Sequence, residues 1–300
     1  MSTLPERHKY KEIKDYSGIL KIPDVVSSRK YDGAAFWIYI DKQGKPHFIS
    51  RRPSVSGKPI DRTAQLPHVA DVSMPEFADH VLYSELIHTG HGGPEDKEKH
   101  NVLSGILNSG VEKSIARQKE EGPVRVILTD MKHPDKKTYA EKRDTLERIE
   151  RAWNRPGLVQ TAKWQEGASA ARKLIDESSR AGHEGVILTS DSLPEERNPR
   201  YKVKHFGTYN LVVSGIQQEK DVNGNPKESM GGLHVTDGLG REVATVGTGF
   251  SRAEREHAWQ KPEQWLGKLI QVKAMPSTAR RLRAPVYNGE ADGEIDTLDL

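Results

Sequence analysis

The chain has 300 residues, of which 34% are apolar and 30% charged, with a net charge of +3 and no cysteine. That length holds two domains of ordinary size or one large one. The missing thiol excludes disulfides, cysteine nucleophiles, iron–sulfur clusters and thiolate-bound zinc. No apolar run approaches the roughly 18 residues needed to span a membrane, so no membrane attachment is expected. The opening MSTLPERHKYKEIKDY is charged throughout and has no apolar core, so it is not expected to act as a secretory signal. A cytoplasmic setting is the expectation. The small positive charge is compatible with a polyanionic partner but too weak to argue for one.

In chain order, residues 1–22 read as a charged lead-in. The run VVSSRKYDGAAFWIYIDKQGKPHFISRR reads as a strand hairpin, with Ala35–Ile40 outgoing, Gln43-Gly44 as the turn and His47–Ser50 returning. His80–Ile87 is a second buried strand, and residues 88–101 are a loop rich in glycine and charge. Val102–Glu120 has helical spacing, and Val124–Asp130 is a third core strand. Lys136–Trp153 spaces Tyr139, Leu146, Ile149 and Trp153 along one face, which predicts a surface helix with a narrow apolar stripe. Gly167–Arg180 is another helix, followed by short strands at Gly185–Leu188 and Tyr201–Phe206.

Beyond Phe206 the texture changes. Five short strands are predicted at Tyr209–Ile216, Gly232–Thr236, Glu242–Gly247, Leu269–Ala274 and Pro285–Tyr287, with one helix at Arg252–Gln260. Five strands in so short a stretch suggest a small β-barrel of the OB-fold type. The domains are therefore expected at 1–206 and 207–300. The last eleven residues hold five acids and no base and read as a solvated tail.

Several residues could carry chemistry. Lys30-Tyr31-Asp32-Gly33 puts a lysine at a strand end, where buried surface eases loss of its proton and a neutral amine could attack phosphorus or a carbonyl. Glu85 interrupts an otherwise apolar strand, where an unpaired carboxylate is costly. Glu184 directly precedes a β-rich run, and Lys202 and Lys204 share one face of a strand because side chains two apart point the same way. Each has a bland alternative: a solvated strand end, a structural ion pair, a helix terminus. His88, His91 and His100 lie in one loop, but their irregular spacing favours a mobile polar loop over a metal site. Lys268, Lys273, Arg280, Arg281 and Arg283 cluster late in the barrel and suit either solvent or a phosphate backbone.

Taken in order, Lys-x-Asp-Gly, an apolar strand with a central Glu, Glu-Gly-Val, and Lys-x-Lys before a β-barrel resemble the covalent nucleotidyltransferases. These are the ATP-dependent DNA ligases, the RNA ligases and the mRNA capping enzymes. The resemblance runs from about Val25 to Tyr287, and the Lys-Tyr-Asp-Gly form looks most like the minimal, phage-type ATP-dependent DNA ligases. It implies an α+β architecture: a nucleotidyltransferase domain with an ATP-grasp-like mixed sheet, then an OB-fold, with ATP in a large cleft between them. It further implies a monomer that seals nicks in double-stranded DNA, in replication, repair or recombination, through lysyl-adenylate and DNA-adenylate intermediates. By the same resemblance Lys30 is the nucleophile and Asp32 acts in the final sealing step. Ser28 and Arg29 meet the adenine edge, Arg51 and Glu85 contact the nucleotide, and Lys202 and Lys204 lie against the α-phosphate. Glu184, with Glu85, would hold Mg²⁺. Arg52, Lys268, Lys273, Arg281 and Arg283 would contact DNA.

The sequence also departs from the family pattern. Ala35 stands where many members have Arg, Ser28 where many have Glu, and an Arg-x-Asp-Lys run near the C-terminus is missing. The third core strand has no aromatic to cover the base, which leaves Leu128 or Ile127 for that place. An RNA ligase, a GTP-using capping enzyme and a non-catalytic nucleic-acid-binding module are the alternatives.

Overall fold

A computed structural model of the chain describes residues 10–12, 18, 21–51, 54, 57–93, 96, 98–132, 138–198, 200–275 and 281–298. It divides into two compact units, residues 1–204 and 205–300. No helix among the described residues is long and apolar enough to cross a membrane.

The first unit contains strands β1 (Lys11–Glu12), β2 (Val25–Lys30), β3 (Ala34–Ile40), β4 (Pro46–Ser50), β5 (Ile60–Asp61), β6 (Val81–His88), β7 (Val124–Lys132), β8 (Val159–Thr161), β9 (Trp164–Glu166), β10 (Gly185–Ser190) and β11 (Tyr201–Lys204). Its helices are α1 (Pro67–Ala70), α2 (His100–Leu107), α3 (Val111–Glu121), α4 (Tyr139–Trp153) and α5 (Ala168–Arg180). The strands form two mixed sheets, ordered β1-β11-β10-β2-β9 and β5-β4-β3-β6-β7-β8. Only the β1–β11 and β7–β8 pairs are parallel among these ladders.

Strand period explains both sheets. In β3, Phe36, Ile38 and Ile40 point into a large core with Leu82, Leu86, Val126, Leu128, Ile149 and Trp153. The alternate residues Ala35, Trp37 and Tyr39 are only half-buried. The other sheet turns Val186, Leu188 and Val203 onto Ala171 and Ile175 of α5.

The predicted single helix over 102–120 is two, α2 and α3, separated at Asn108-Ser109-Gly110. Gly110 stands extended as the N-cap of α3, which lets the chain re-enter a helix at a new angle. The helix after residue 138 exposes one face, at Glu141, Asp144, Glu147, Arg148 and Arg151, as expected, but its buried face is wider than a narrow stripe. Its Thr138 capping box starts it, and Tyr139, Lys142, Thr145, Leu146, Ile149 and Trp153 are buried. Burying Lys142 requires an anion, and Asp130 of β7 supplies it at 3.4 Å. Lys136 and Lys137, the first two residues of that predicted helix, lie outside the described residues.

The second unit contains β12 (Gly207–Lys220), β13 (Pro226–Thr236), β14 (Glu242–Val246), α6 (Arg252–Gln260), β15 (Leu269–Met275) and β16 (Arg283–Glu290). The strand order is β14-β13-β12-β15-β16. Register shifts along β12, between Val213 and Gly215 and again after Gln217, let that long strand curve. The far edges then meet: Leu282 N–H donates to the Val243 carbonyl at 2.7 Å and Tyr287 N–H to that of Thr248 at 2.9 Å. That closure yields a small barrel around Leu211, Leu233, Val246, Ile270, Val272 and Trp265.

The acidic tail is a correction to the sequence reading. Leu298 is buried in the barrel core. Asp296 accepts from the Asn210 N–H at 2.6 Å, and its own carbonyl accepts from the Gly238 N–H at 2.9 Å. The Asp296 carboxylate, backbone groups and one leucine fasten the tail to the barrel.

Candidate active site

Register in the first sheet of the first unit gathers the charged residues. Lys30 of β2 lies opposite Gly185 of β10, which lies opposite Lys204 of β11. On the next rung facing the same way, Trp164, Ser28, Ile187 and Lys202 stand in one row across four strands. Intervening residues Val186 and Val203 turn to the core instead. The row faces a cleft of about 490 Å³, lined also by Tyr31, Ala35, Arg51, Glu85, Thr129 and Glu184. Every lining residue belongs to the first unit.

Within the cleft, the Lys30 amine donates to a Glu184 carboxylate oxygen, and both side chains are largely buried. Gly185 lets β11 press onto β10: a Cβ there would fall 1.9 Å from the Val203 carbonyl oxygen, and its φ is +155°. Gly33 has the same role on the other side. A Cβ there would lie 2.2 Å from the Leu86 carbonyl oxygen and 2.8 Å from Cγ of Glu85. The glycine lets the lysine-bearing turn press onto the strand that carries Glu85. Glu85 itself is half-buried, opposite Ala35 and Ile127 in the second sheet.

The remaining predicted residues fall as follows. Lys202 is 3.9 Å from Glu12 of β1, while Lys204 has no ion-pair partner among the described residues. Arg51 is exposed at the cleft rim. Arg29 is buried and its guanidinium is held by Glu98 at 2.7 Å. Burial pushes the Glu98 carboxyl above the usual range, and the Arg29 charge opposes that shift. Asp32 lies between two cleft-lining stretches, with its carboxylate 3.6 Å from His100 Nδ1 and its N–H donating to Glu98 at 3.4 Å. Leu128 is a correction: it lies in register with Ser84 and Phe36, faces the first core and is fully buried there. Ile127, one residue away, packs with Tyr31, Ile87 and Ala162.

An aromatic does face the cleft, from a strand the sequence reading missed. Trp164 of β9 packs edge-on against Tyr139, with ring centroids 4.6 Å apart. Tyr139 donates its hydroxyl to the Thr129 carbonyl at 2.7 Å and carries the Arg200 guanidinium 5.2 Å over its ring. Arg200 in turn pairs with Asp130 at 3.1 Å. The Trp164 indole nitrogen is buried with no hydrogen-bond partner among the described residues. The three-residue β9 is too short to show a period; the alternation Ala162-x-Trp164 was the available signal.

The loop histidines do not converge. His88 Nε2 meets the Gly122 carbonyl at 3.1 Å, His91 Nε2 that of Glu120 at 2.8 Å, and His100 faces Asp32. On the barrel, Lys268 pairs with Glu290 and Arg281 with Glu242, Lys273 is exposed, and Arg283 is half-buried at the start of β16. Arg52 lies outside the described residues.

Among the described residues no three histidine, aspartate or glutamate side chains form a group that could hold a metal ion. The cleft offers two carboxylates, Glu85 and Glu184, which suits an ion that takes its other ligands from a bound phosphate chain.

No protein-family model and no curated protein matches the chain. Solved structures do. One described as "DNA binding with a minimal scaffold: Structure-function analysis of Lig E DNA ligases" matches at a TM-score of 0.69 and 17% identity, over 96% of this chain and all of that one. Structures named Pmar-Lig_PreS3 and Pmar-Lig_Pre. match at TM-scores of 0.66 and 0.65 with 18% and 19% identity, over 90% and 89% of this chain. The chain spans 64% and 63% of the length of those two. At such identity the likeness is one of fold: a nucleotidyltransferase unit followed by an OB-fold unit, the architecture of that DNA ligase.

Proposed function

We propose that the protein is an ATP-dependent DNA ligase that seals nicks in duplex DNA. The observation that carries this reading is the cleft itself, where one lysine meets a carboxylate beside two further lysines and an aromatic wall. In the first step the Lys30 amine attacks the α-phosphorus of ATP; the N–P bond forms, the bond to pyrophosphate breaks, and Glu184 is placed to take the amine proton. Lys202 and Lys204 face the same space and offset the charge that develops on the phosphoryl oxygens. Trp164 and Ile187 supply apolar surface for the adenine. The adenylyl group then passes to a 5′-phosphate, and a 3′-hydroxyl displaces AMP to close the strand, the step to which Asp32 is assigned. Mg²⁺, held by Glu85 and Glu184 together with the phosphates, would supply charge neutralisation. Lys273 and Arg283 of the barrel, with Lys268, Arg281 and Arg52, are proposed to grip the DNA backbone.

The test is sealing of a singly nicked duplex with ATP or GTP as the only nucleotide. The reading expects sealing with ATP and none with Lys30→Ala. Sealing by the alanine variant, or dependence on GTP alone, would overturn it.

A further inference from the structure

Glu98 is a buried carboxylate that does not line the nucleotide cleft. It stands in the segment between β6 and α2, which is fastened to the second sheet. The Lys99 N–H donates to the His88 carbonyl at 2.7 Å, and Arg125 of β7 donates to Thr89 Oγ1 at 2.8 Å and to the Gly90 carbonyl at 3.2 Å. Burying a carboxylate is costly unless it is paired and hydrogen-bonded. Two partners of Glu98 come from the turn that carries Lys30. One carboxylate oxygen takes the Arg29 guanidinium at 2.7 Å, and the other accepts the Asp32 N–H at 3.4 Å. Arg29 also donates to the Asp96 carbonyl at 3.4 Å, and His100 faces the Asp32 carboxylate at 3.6 Å.

Glu98 therefore spans the nucleophile. It holds the side chain before Lys30 and the backbone N–H two residues after it, while the Lys30 amine reaches across to Glu184. A lysine stem is flexible, so the backbone from which it starts decides where the amine can sit. Phosphoryl transfer needs that amine in line with the departing pyrophosphate, and a misplacement of about 1 Å costs on the order of a hundredfold in rate. Resting on the ligase reading above, the geometry points to Glu98 as a positioning residue for adenylation: its carboxylate clamps both flanks of Lys30 and holds the amine in line with the α-phosphorus of ATP. In that step the amine nitrogen bonds to phosphorus, pyrophosphate leaves with the electron pair of the broken bond, and the amine proton passes to Glu184. Glu98 acts only through the backbone that bears the lysine.

The experiment uses the full chain, stripped with pyrophosphate, and reads one turnover of AMP onto Lys30 over a range of ATP concentrations. Glu98→Ala should slow adenylation at saturating ATP about tenfold to a hundredfold. The ATP concentration for half-maximal rate should change by less than about twofold, because the clamp does not touch ATP. Glu98→Gln, whose amide oxygen can still accept the Asp32 N–H, should keep more of the rate. Both variants leave Arg29 without its buried anion, so melting temperatures are read beside them. Arg29→Met combined with Glu98→Leu removes both charges, an exchange that is often neutral for stability. That double variant should melt close to the wild type and still adenylate slowly, and the peptide spanning residues 29–33 should exchange its amide hydrogens faster. A double variant that melts and adenylates like the wild type would overturn the inference, as would a Glu98→Ala loss confined to the ATP half-saturation. Unchanged exchange at residues 29–33 would overturn the clamp itself. A wild-type protein that takes up no AMP would instead overturn the ligase reading.

Discussion

Asp130→Asn tests how the first unit holds the wall of its cleft. Asp130 is 3% exposed and takes Lys142 at 3.4 Å on one oxygen and Arg200 at 3.1 Å on the other. Lys142 and Arg200 are themselves buried. Asparagine keeps the shape but removes the Asp130 charge that faces both buried cations. Removing one partner of a buried ion pair costs about 3–5 kcal/mol. For a unit of 204 residues this lowers the melting temperature by about 6–20 °C, at roughly 2–4 °C per kcal/mol. Lys142→Met provides the contrast, because Asp130 keeps Arg200 and the methionine fills the same volume; it should cost about 1 kcal/mol or less. Calorimetry at pH 7 reads both. The Asp130 variant should also need more ATP for half-maximal adenylation, since Arg200 lies over Tyr139 and Tyr139 braces Trp164. A fall of less than about 2 °C in Asp130→Asn would refute the buried-charge reasoning, because about 1 kcal/mol or less would then be at stake.

Gly33→Ala should abolish adenylation and lower stability, because its Cβ would stand 2.2 Å from a backbone oxygen that cannot yield cheaply; wild-type adenylation in this variant would contradict the packing described. Trp164→Ala should raise the ATP concentration for half-maximal adenylation about tenfold, with Trp164→Phe nearer to wild type, read by titrating ATP against adenylate formed. Burial lowers the protonation range of His68 and His88 below that of a free imidazole. The unfolded chain therefore binds their protons more readily, so their contribution to stability is intact above about pH 6.5 and is lost as pH falls, which denaturant melts between pH 7 and pH 5 will show. Leu298→Ala should destabilise the barrel by about 2 kcal/mol, whereas a tail that merely floats in solvent would leave its melting unchanged.

Much of the candidate cleft was legible from single residues. Lys202 and Lys204 had to share a face by strand period, and Glu85 stood out as a carboxylate in an apolar strand. What joined them was not legible. The rung that aligns Lys30, Gly185 and Lys204 depends on β2 pairing with β10, two segments more than 150 residues apart in sequence, for which period carries no information. Leu128 was placed over the base because β7 is apolar on both faces, and only its register with Phe36 shows which face is core. Lys142 lies in the helix expected at the surface, and its burial depends on Asp130, which is brought to it from β7 and also pairs with Arg200. The tail looked solvated because its acids dominate its composition, while the anchoring is done by one leucine, backbone groups and the Asp296 carboxylate. In the barrel, turn residues and short β-rich runs were enough to find five strands, and the Ser251 capping box marks the start of α6.

The central claim is that Lys30 becomes covalently adenylated. The most direct measurement is intact mass after pyrophosphate stripping and incubation with Mg²⁺ and ATP, beside Lys30→Ala. The account predicts a gain of one adenylyl group in the wild type, reversed by pyrophosphate and absent from the variant. A stripped wild-type protein that gains nothing, or a variant that gains the same group, would contradict it.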